Sequence, residues 1–239
     1  MRGAFTVAWR ILLTLRGDRR TLGLVVGMPA FIIYLFSEVF PVAEPVAPVL
    51  LGIFVFILTY MLTAIGFLRE RTAGTLERVL VSPISRTGLV VGYVVGFGVL
   101  AAVQSLVLLG SGVYFLNVEF AHGVGLFFLV ELLGAMTALG LGIVLSLFAR
   151  NEFQVLQFMP TVIGPQIILG GTFMPVDTLP VYLEWPARLM PVTYLIEGMK
   201  YVVLDIGEAH DLWLAIAALA AFTAVSMAVS WAAVRRTSG

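Results

Sequence analysis

Cysteine is absent from all 239 residues, which excludes disulfides, thiolate catalysis and cysteine-ligated metals. Lysine is almost absent. Lys200 is the only one and Tyr201 follows it, so the chain lacks the lysine of a phosphate-binding G-x-x-x-x-G-K-[ST] loop, and any ATP chemistry must come from another chain. There are two histidines, His122 and His210, and no H-E-x-x-H pair to hold a catalytic metal. Charge of either sign is scarce, at 12% of residues against about a quarter in soluble domains. The formal net charge is zero, so no global basic field points to nucleic acid.

What the chain has is apolar residues, 60% of the total, with a mean hydropathy of +1.04. Long apolar runs with few charges predict membrane spans, because ~20 helical residues cross the hydrocarbon core. The expected fold is an all-α integral membrane domain over 1–239, with six spans at 22–40, 46–68, 89–116, 124–149, 156–173 and 212–234. Pro160 and Pro165 interrupt the fifth. The opening "MRGAFTVAWRILLTLRGDRR" does not have the form of a secretory signal, since its apolar stretch is short and lies between arginines. Ala4, Ala8, Ile11, Leu12 and Leu15 recur there at helical spacing. Residues 1–20 therefore read as an interfacial helix with Trp9 at headgroup depth, or as a basic tail that fixes topology.

Six spans place the N-terminus, the 69–88 loop, the 150–155 turn and the C-terminus on one side. Arg2, Arg10, Arg16, Arg19, Arg20, Arg69, Arg71, Arg78, Arg86, Arg150, Arg235 and Arg236 lie on that side, with only Arg188 and Lys200 opposite. The positive-inside rule makes this crowded face cytoplasmic, with both termini in. The outer segment 174–211 is semi-apolar and divided by Pro175, Pro180, Pro186 and Pro191. Leu195, Met199, Val202 and Val203 share one helical face in it. It predicts short re-entrant helices, dipping into the outer leaflet or packed over the helix ends, because irregular backbone at membrane depth must be covered by protein or line a cavity.

The stretch "RERTAGTLERVLVSPISR", residues 69–86, gathers Arg69, Arg71, Arg78, Arg86, Glu70 and Glu77. Each arginine at the bilayer centre costs ~2.5–3.5 kcal/mol on the insertion scale, so four cost on the order of 10 kcal/mol and the stretch stays in the cytosol. Leu76, Val79 and Leu80 form an apolar ridge on a short helix over 75–81. Gly74 or Thr75 caps it, Glu77 suits its positive end and Pro83 stops it. The ridge fits a cytosolic partner, and its arginines equally fit lipid headgroups.

The same stretch closely resembles the cytoplasmic segment between the second and third spans of the type-2 ABC exporter permeases, R-E-x-x-x-G-T-L-E-x-L-L-x-[ST]-P-[IL]. It matches at Arg69, Glu70, Gly74, Thr75, Leu76, Glu77, Leu80, Ser82, Pro83 and Ile84, with Val79 as a mild departure. A second, looser match follows the fifth span, where Gly171, Phe173, Pro175, Leu179, Pro180, Pro191, Thr193, Tyr194, Glu197 and Gly198 fall in the order of the family's outer segment. The wording of the first motif is nearest the drug- or antibiotic-exporter branch.

The resemblance implies a coupling helix over 75–81 that docks on a separate ATP-binding subunit, through apolar Leu76, Val79 and Leu80 and polar Glu70, Arg71, Glu77 and Arg78. ATP and Mg would bind to that partner and no cofactor to this chain. It also implies pairing with a second permease copy or a similar permease, and a path flanked by the second and fifth spans, to which Thr59 and Thr63 with Gln157, Thr161 and Gln166 are assigned. Thr59 could equally bond its own helix backbone. The expected activity is export of an amphipathic, drug-like or lipid-like substrate from a prokaryotic plasma membrane, with a polysaccharide or lipid-linked glycan as the alternative cargo. The rival class is a stand-alone membrane enzyme or secondary carrier. Its support is Glu131, an acidic residue in the interior of a span. A bond to a neighbouring helix or an outward-facing position is the bland explanation for it. Gly23/Gly27 and Gly92/Gly96 carry the small-x-x-x-small spacing of close helix contacts.

Overall fold

The computed structural model describes residues 2–17, 19–40, 45–73 and 86–236. The described residues form helices joined by short connections. They are α1 (Arg2–Gly17), α2 (Arg19–Val39), α3 (Ala47–Thr72), α4 (Arg86–Phe115), α5 (Val124–Phe148), α6 (Glu152–Phe158), α7 (Gly164–Leu169), α8 (Val181–Arg188), α9 (Pro191–Leu204) and α10 (Ala209–Arg236). A π-helical turn, Met159–Ile163, joins α6 to α7, and a 3-10 turn, Val176–Thr178, precedes α8. Among the described residues four helices are long and apolar enough to cross a membrane: α3, α4 from Thr87, α5, and α10 to Ala232. In α2 the apolar stretch among the described residues is Gly27–Val39.

The fifth apolar run is helical throughout, from Glu152 to Leu169, and the prolines change its hydrogen bonding without ending it. Pro160 and Pro165 each remove an N–H donor, which favours the wide π turn between them. Side chains take part in the repair: Thr161 donates to the Gln157 carbonyl at 3.0 Å and Gln166 Nε2 to the Val162 carbonyl at 2.9 Å. The run begins on a side-chain cap that resembles a capping box shifted by one residue. Asn151 accepts from the Gln154 N–H at 2.9 Å, and Gln154 reaches back to the Arg150 N–H at 2.7 Å.

Helix α5 lies at the centre, against α3, α4, α9 and α10. Small residues allow this. A Cβ on Gly142 would meet the Tyr60 carbonyl oxygen at 3.0 Å and the Ala64 nitrogen at 3.1 Å, so α3 and α5 touch backbone to side-chain-free backbone. A Cβ on Gly140 would run into Ser226 of α10.

The N-terminal helix buries Val7, Ala8 and Ile11. It does so on α4, at the second of the two glycine pairs: a Cβ on Gly92 would stand 2.6 Å from the Val7 Cβ, and one on Gly96 3.0 Å from the Ile11 Cδ1. Gly23 and Gly27 have nothing within 4 Å of such a Cβ among the described residues. Spacing identified both pairs, and tertiary packing uses the second. Phe5, Trp9 and Leu13 remain exposed on the far side of α1.

In the outer segment α9 packs well below the helix ends. α9, with 14 residues, is ~21 Å long at 1.5 Å per residue and too short to cross ~30 Å of hydrocarbon. Yet Leu195, Ile196, Met199 and Val202 are fully buried. Leu195 reaches Gly52 of α3 and Gly134 of α5, more than a turn inside both helices. The face shared by Leu195, Met199, Val202 and Val203 is core, held between helices, and does not merely cover their ends. The charged loop also differs from its expected limits. α3 continues through Arg69, Glu70 and Arg71 to Thr72, and α4 starts at Arg86, so both flanking helices extend into the 69–88 stretch.

Candidate functional site

Three groups of residues were expected to carry function, and the structure treats them differently. Of the docking residues, Gly74, Thr75, Leu76, Glu77, Arg78, Val79, Leu80 and Pro83 lie outside the described residues. The two ends of their loop are defined, and the α3 end is clamped by consecutive charged residues. Arg69 Nε donates to Glu152 at 2.7 Å, tying α3 to the start of α6. Glu70, on the next residue, takes Arg10 of α1 at 2.5 Å and the Tyr93 hydroxyl of α4 at 3.0 Å. Arg71 donates to the Leu147 carbonyl at 2.7 Å and also to the Ala149 carbonyl, where α5 ends. Successive helical residues point ~100° apart, which is how three neighbours reach four different helices.

Sequence reasoning gave Glu70 and Arg71 to the ATP-binding partner. The structure places both on intramolecular partners, with Glu70's side chain only 19% exposed. Arg69, grouped with the motif but given no role, is the third clamp. The signal that could have found this seam was the charge matching between Arg10, Glu70 and Arg69, Glu152, which stand too far apart in sequence for periodicity to link. The Arg69 guanidinium, hydrogen-bonded to Glu152, holds that carboxyl below the usual range, more than its slight burial raises it. Through these bonds α1, α4, α5 and α6 are all fastened to the end of α3.

The path residues do not form one surface. Thr59 and Thr63 are fully buried in α3. Thr59 Oγ1 donates to Gln104 of α4 at 3.4 Å, and not to its own helix, while Thr63 lies against Gly142 of α5. Gln157 and Thr161 are exposed on the helix–π-turn junction. Gln166 is buried on α7 and lines a cavity of about 260 Å³ together with Thr137, Leu141, Val162, Leu189, Met190, Pro191 and Phe222.

The outer motif residues build a frame. Gly171 takes a positive φ of 81°, and its carbonyl accepts from Lys200 at 2.6 Å. Pro175 and Pro180 precede the 3-10 turn and α8, and Pro191 opens α9, where a missing N–H costs nothing. The Tyr194 hydroxyl donates to the Arg188 carbonyl at 2.8 Å, and Glu197 accepts from Arg188 at 3.1 Å. Burial pushes the Glu197 carboxyl upward, against the pull of Arg188. Lys200 was read only as the missing phosphate ligand, and its fastening of α9 to Gly171 was not legible from spacing. His122 is hydrogen-bonded to Asp205 at 2.6 Å and stacked on Tyr201 with ring centroids 4.2 Å apart.

Glu131 matches neither bland explanation. It is fully buried in α5, and neither carboxylate oxygen has a hydrogen-bond partner among the described residues.

Comparison with known proteins agrees with the first motif. The family model described as ABC-2 type transporter matches residues 3–204. The chain is 25% identical over 191 residues to the probable multidrug ABC transporter permease YbhR of Escherichia coli K12, covering 80% of this chain and 52% of that protein. It is 26% identical over 183 residues to the linearmycin resistance permease protein LnrN of Bacillus subtilis 168, covering 75% and 47%. It is 29% identical over 156 residues to ABC transporter G family member 20 of Dictyostelium discoideum, covering 64% and 21%. The chain thus spans about half the length of the two bacterial permeases and a fifth of the third protein.

Proposed function

The chain belongs to the ABC-2 type transporter family, and from that premise we propose that it is the membrane-spanning permease part of an ATP-driven exporter whose ATPase is a separate subunit. Its four membrane-length helices make it an integral membrane protein. On our reading α2 and the α6–α7 run complete six spans. Both termini and the 73–85 loop face the cytosol, and α1 lies at the inner leaflet of a prokaryotic plasma membrane. The observation that carries the mechanism is the clamp at the end of α3: Arg69, Glu70 and Arg71 each hold a different helix immediately before the loop that bears the docking motif.

Loop residues 75–81 serve as the coupling helix. When the ATPase dimer closes, its push on Leu76, Val79, Leu80, Glu77 and Arg78 is delivered to Thr72 and spread through the clamp to α1, α5 and α6. Glu70 and Arg71 act inside the permease as force-bearing links, and the contact with the ATPase is left to residues further into the loop. Two permease copies, or this chain and a similar one, enclose the path. Gln157 and Thr161, exposed on the π-turn run, face it, while Thr59 and Thr63 stiffen the α3–α4–α5 packing behind it. The cargo is an amphipathic, drug-like or lipid-like molecule. The relatives' names, one a multidrug permease and one a linearmycin resistance permease, support that class. The scarcity of charge in the spans supports it too, since such helices offer little to bind an ionic solute.

The test is co-purification of the tagged chain with its ATPase subunit. Glu77→Arg combined with Leu80→Asp abolishes association while the chain still elutes as a folded membrane protein. Unchanged association rules out the docking assignment. Orientation is checked separately, and the absence of cysteine makes it simple. A single cysteine at position 77 is labelled by an impermeant maleimide only in inverted vesicles, and one at 208 only in intact cells. The opposite pattern overturns the topology.

A further inference from the structure

Depth in the membrane can be read along α10. Its two tryptophans, Trp213 and Trp231, are 64% and 36% exposed, and tryptophan collects at the membrane–water boundaries. The rise between them is ~27 Å at 1.5 Å per residue, close to the ~30 Å of hydrocarbon. Trp213 therefore marks the outer boundary, and Phe222, halfway between the two, marks the midplane.

α9 carries that scale to the outer segment, because it runs antiparallel along α10. The Tyr194 and Phe222 ring centroids are 6.1 Å apart, and a Cβ on Gly198 would meet the Ala215 Cβ at 3.3 Å. This register puts Thr193 on the order of 10 Å inside the Trp213 level. A Cβ on Gly170 would meet the Thr193 nitrogen at 3.2 Å. The fifth apolar run ends its helix at Leu169, so it stops short of the outer boundary by about 10 Å.

Irregular backbone continues from that depth. Residues 170–175 form no helix. The next turn folds back, with the Val176 Cγ2 3.6 Å from where a Cβ on Gly171 would stand. Pro175, Asp177, Thr178 and Pro180 are exposed. Lipid cannot satisfy such backbone, which must be covered by protein or line a water-filled cavity. α8 lies beside it, tied to α9 at depth by the Tyr194 hydroxyl on the Arg188 carbonyl. Val181, Tyr182, Trp185 and Leu189 give α8 one wholly apolar exposed side, which suits hydrocarbon. Its charges lie on the other. Arg188 is 3.8 Å from Glu184 and 3.1 Å from Glu197, and the three side chains are 36%, 34% and 28% exposed. Asp177 is close enough to repel the Glu197 charge. Charged groups in a membrane protein face one another or water. Pairing covers only part of these, and the remainder needs water.

We propose that a water-filled crevice, open to the outside, lies over the end of α7 and is lined by Asp177, Thr178, Glu184, Arg188 and Glu197. It brings outside water about a third of the way through the hydrocarbon. The polar end of an amphiphile meets water there without crossing the whole outer leaflet. The proposal rests on the membrane-embedded reading above but not on ATPase docking.

The experiment uses the full chain in lipid nanodiscs, with a nitroxide on a single introduced cysteine. Asp177→Cys and Arg188→Cys probe the crevice. Glu208→Cys is the water reference, and Val225→Cys, exposed on α10, is the lipid reference. Power saturation measures collision with a neutral, water-soluble nickel chelate and with lipid-soluble oxygen. The nickel-to-oxygen collision ratio at 177 and 188 should match that at 208 and exceed that at 225 at least ~tenfold, since hydrocarbon excludes polar solutes by more than a decade. Asp177→Cys leaves the Arg188–Glu197 pair intact, so the test survives if Arg188→Cys fails to fold. In intact cells, an impermeant anionic thiosulfonate should block both cysteines from outside. A ratio at 177 and 188 equal to that at 225 overturns the crevice. Loss of collision with both probes overturns it too, because protein then covers the segment. If position 208 itself is not reached from outside, the topology fails instead, so the two failures are told apart.

Discussion

Helices α5 and α10 have nearly the same mean hydropathy, 2.1 and 2.2, yet 56% of the most apolar window of α5 is buried against 22% of that of α10. In water such a difference would show as a polar face. In a membrane it does not, because lipid and protein core are equally apolar and hydropathy cannot tell them apart. The distinction lies in side-chain size. α5 carries Gly134, Gly140 and Gly142, each against a different neighbour. α10 has alanines and turns Trp213, Leu214, Val225 and Val229 outward.

The strongest way to break this comparison is to place the same bulk on both helices. Gly142→Leu forces a side chain onto the backbone of Tyr60 and Ala64, which cannot yield as a side-chain tip could. Overpacking usually costs ~1–3 kcal/mol and here the loss should reach or exceed the top of that range. Ala221→Leu on the exposed face of α10 should stay within about 0.5 kcal/mol. Thermal unfolding in detergent, followed by size-exclusion, reads both. Equal losses would mean that α10 is covered in the assembled protein.

Glu131 sharpens the comparison from the polar side. An unpartnered buried carboxyl costs roughly 1–3 kcal/mol, so Glu131→Met should raise the unfolding temperature. A fall would show that the carboxyl finds a partner in the assembled transporter.

At the inner face, Glu70→Gln leaves Arg10 without its counter-ion in a partly buried site. We expect a loss of about 1–2 kcal/mol, within the range for hydrogen bonds to charged groups. Transport should fall further than ATPase association does, measured as substrate efflux per bound ATPase subunit. Equal falls would return Glu70 to the docking surface.

The smallest effect belongs to Arg69–Glu152, an exposed pair worth under ~1 kcal/mol and weakened by salt. Because the folded Glu152 carboxyl titrates below its ordinary value, its contribution is present above about pH 4.3, the unfolded value. That contribution is lost as the pH falls through the folded value. The stability gap between wild type and Glu152→Gln should close on acidification and in high salt. A gap that widens with acid contradicts the pairing.

Much of the fold was legible because membrane spans obey length and hydropathy, which are properties of a segment alone. The limits expected for α4 and α5 lie within three residues of those observed. The capped start at Asn151 was not singled out, although its Asn-x-x-Gln spacing is local and readable. The functional groups were less accessible. The threonines given to a path turned out to be packing residues, because which face of an all-apolar helix meets protein is not encoded in its periodicity.

Sequence by itself determined that this chain is a membrane-embedded helical permease with no phosphate-binding loop of its own, since composition and a contiguous motif need no partner to be read. Only the tertiary structure decided that Glu70 and Arg71 fasten helices together and that α9 is core. Each of these depends on residues tens of positions apart meeting within about 3 Å, and a one-dimensional pattern carries no record of such meetings.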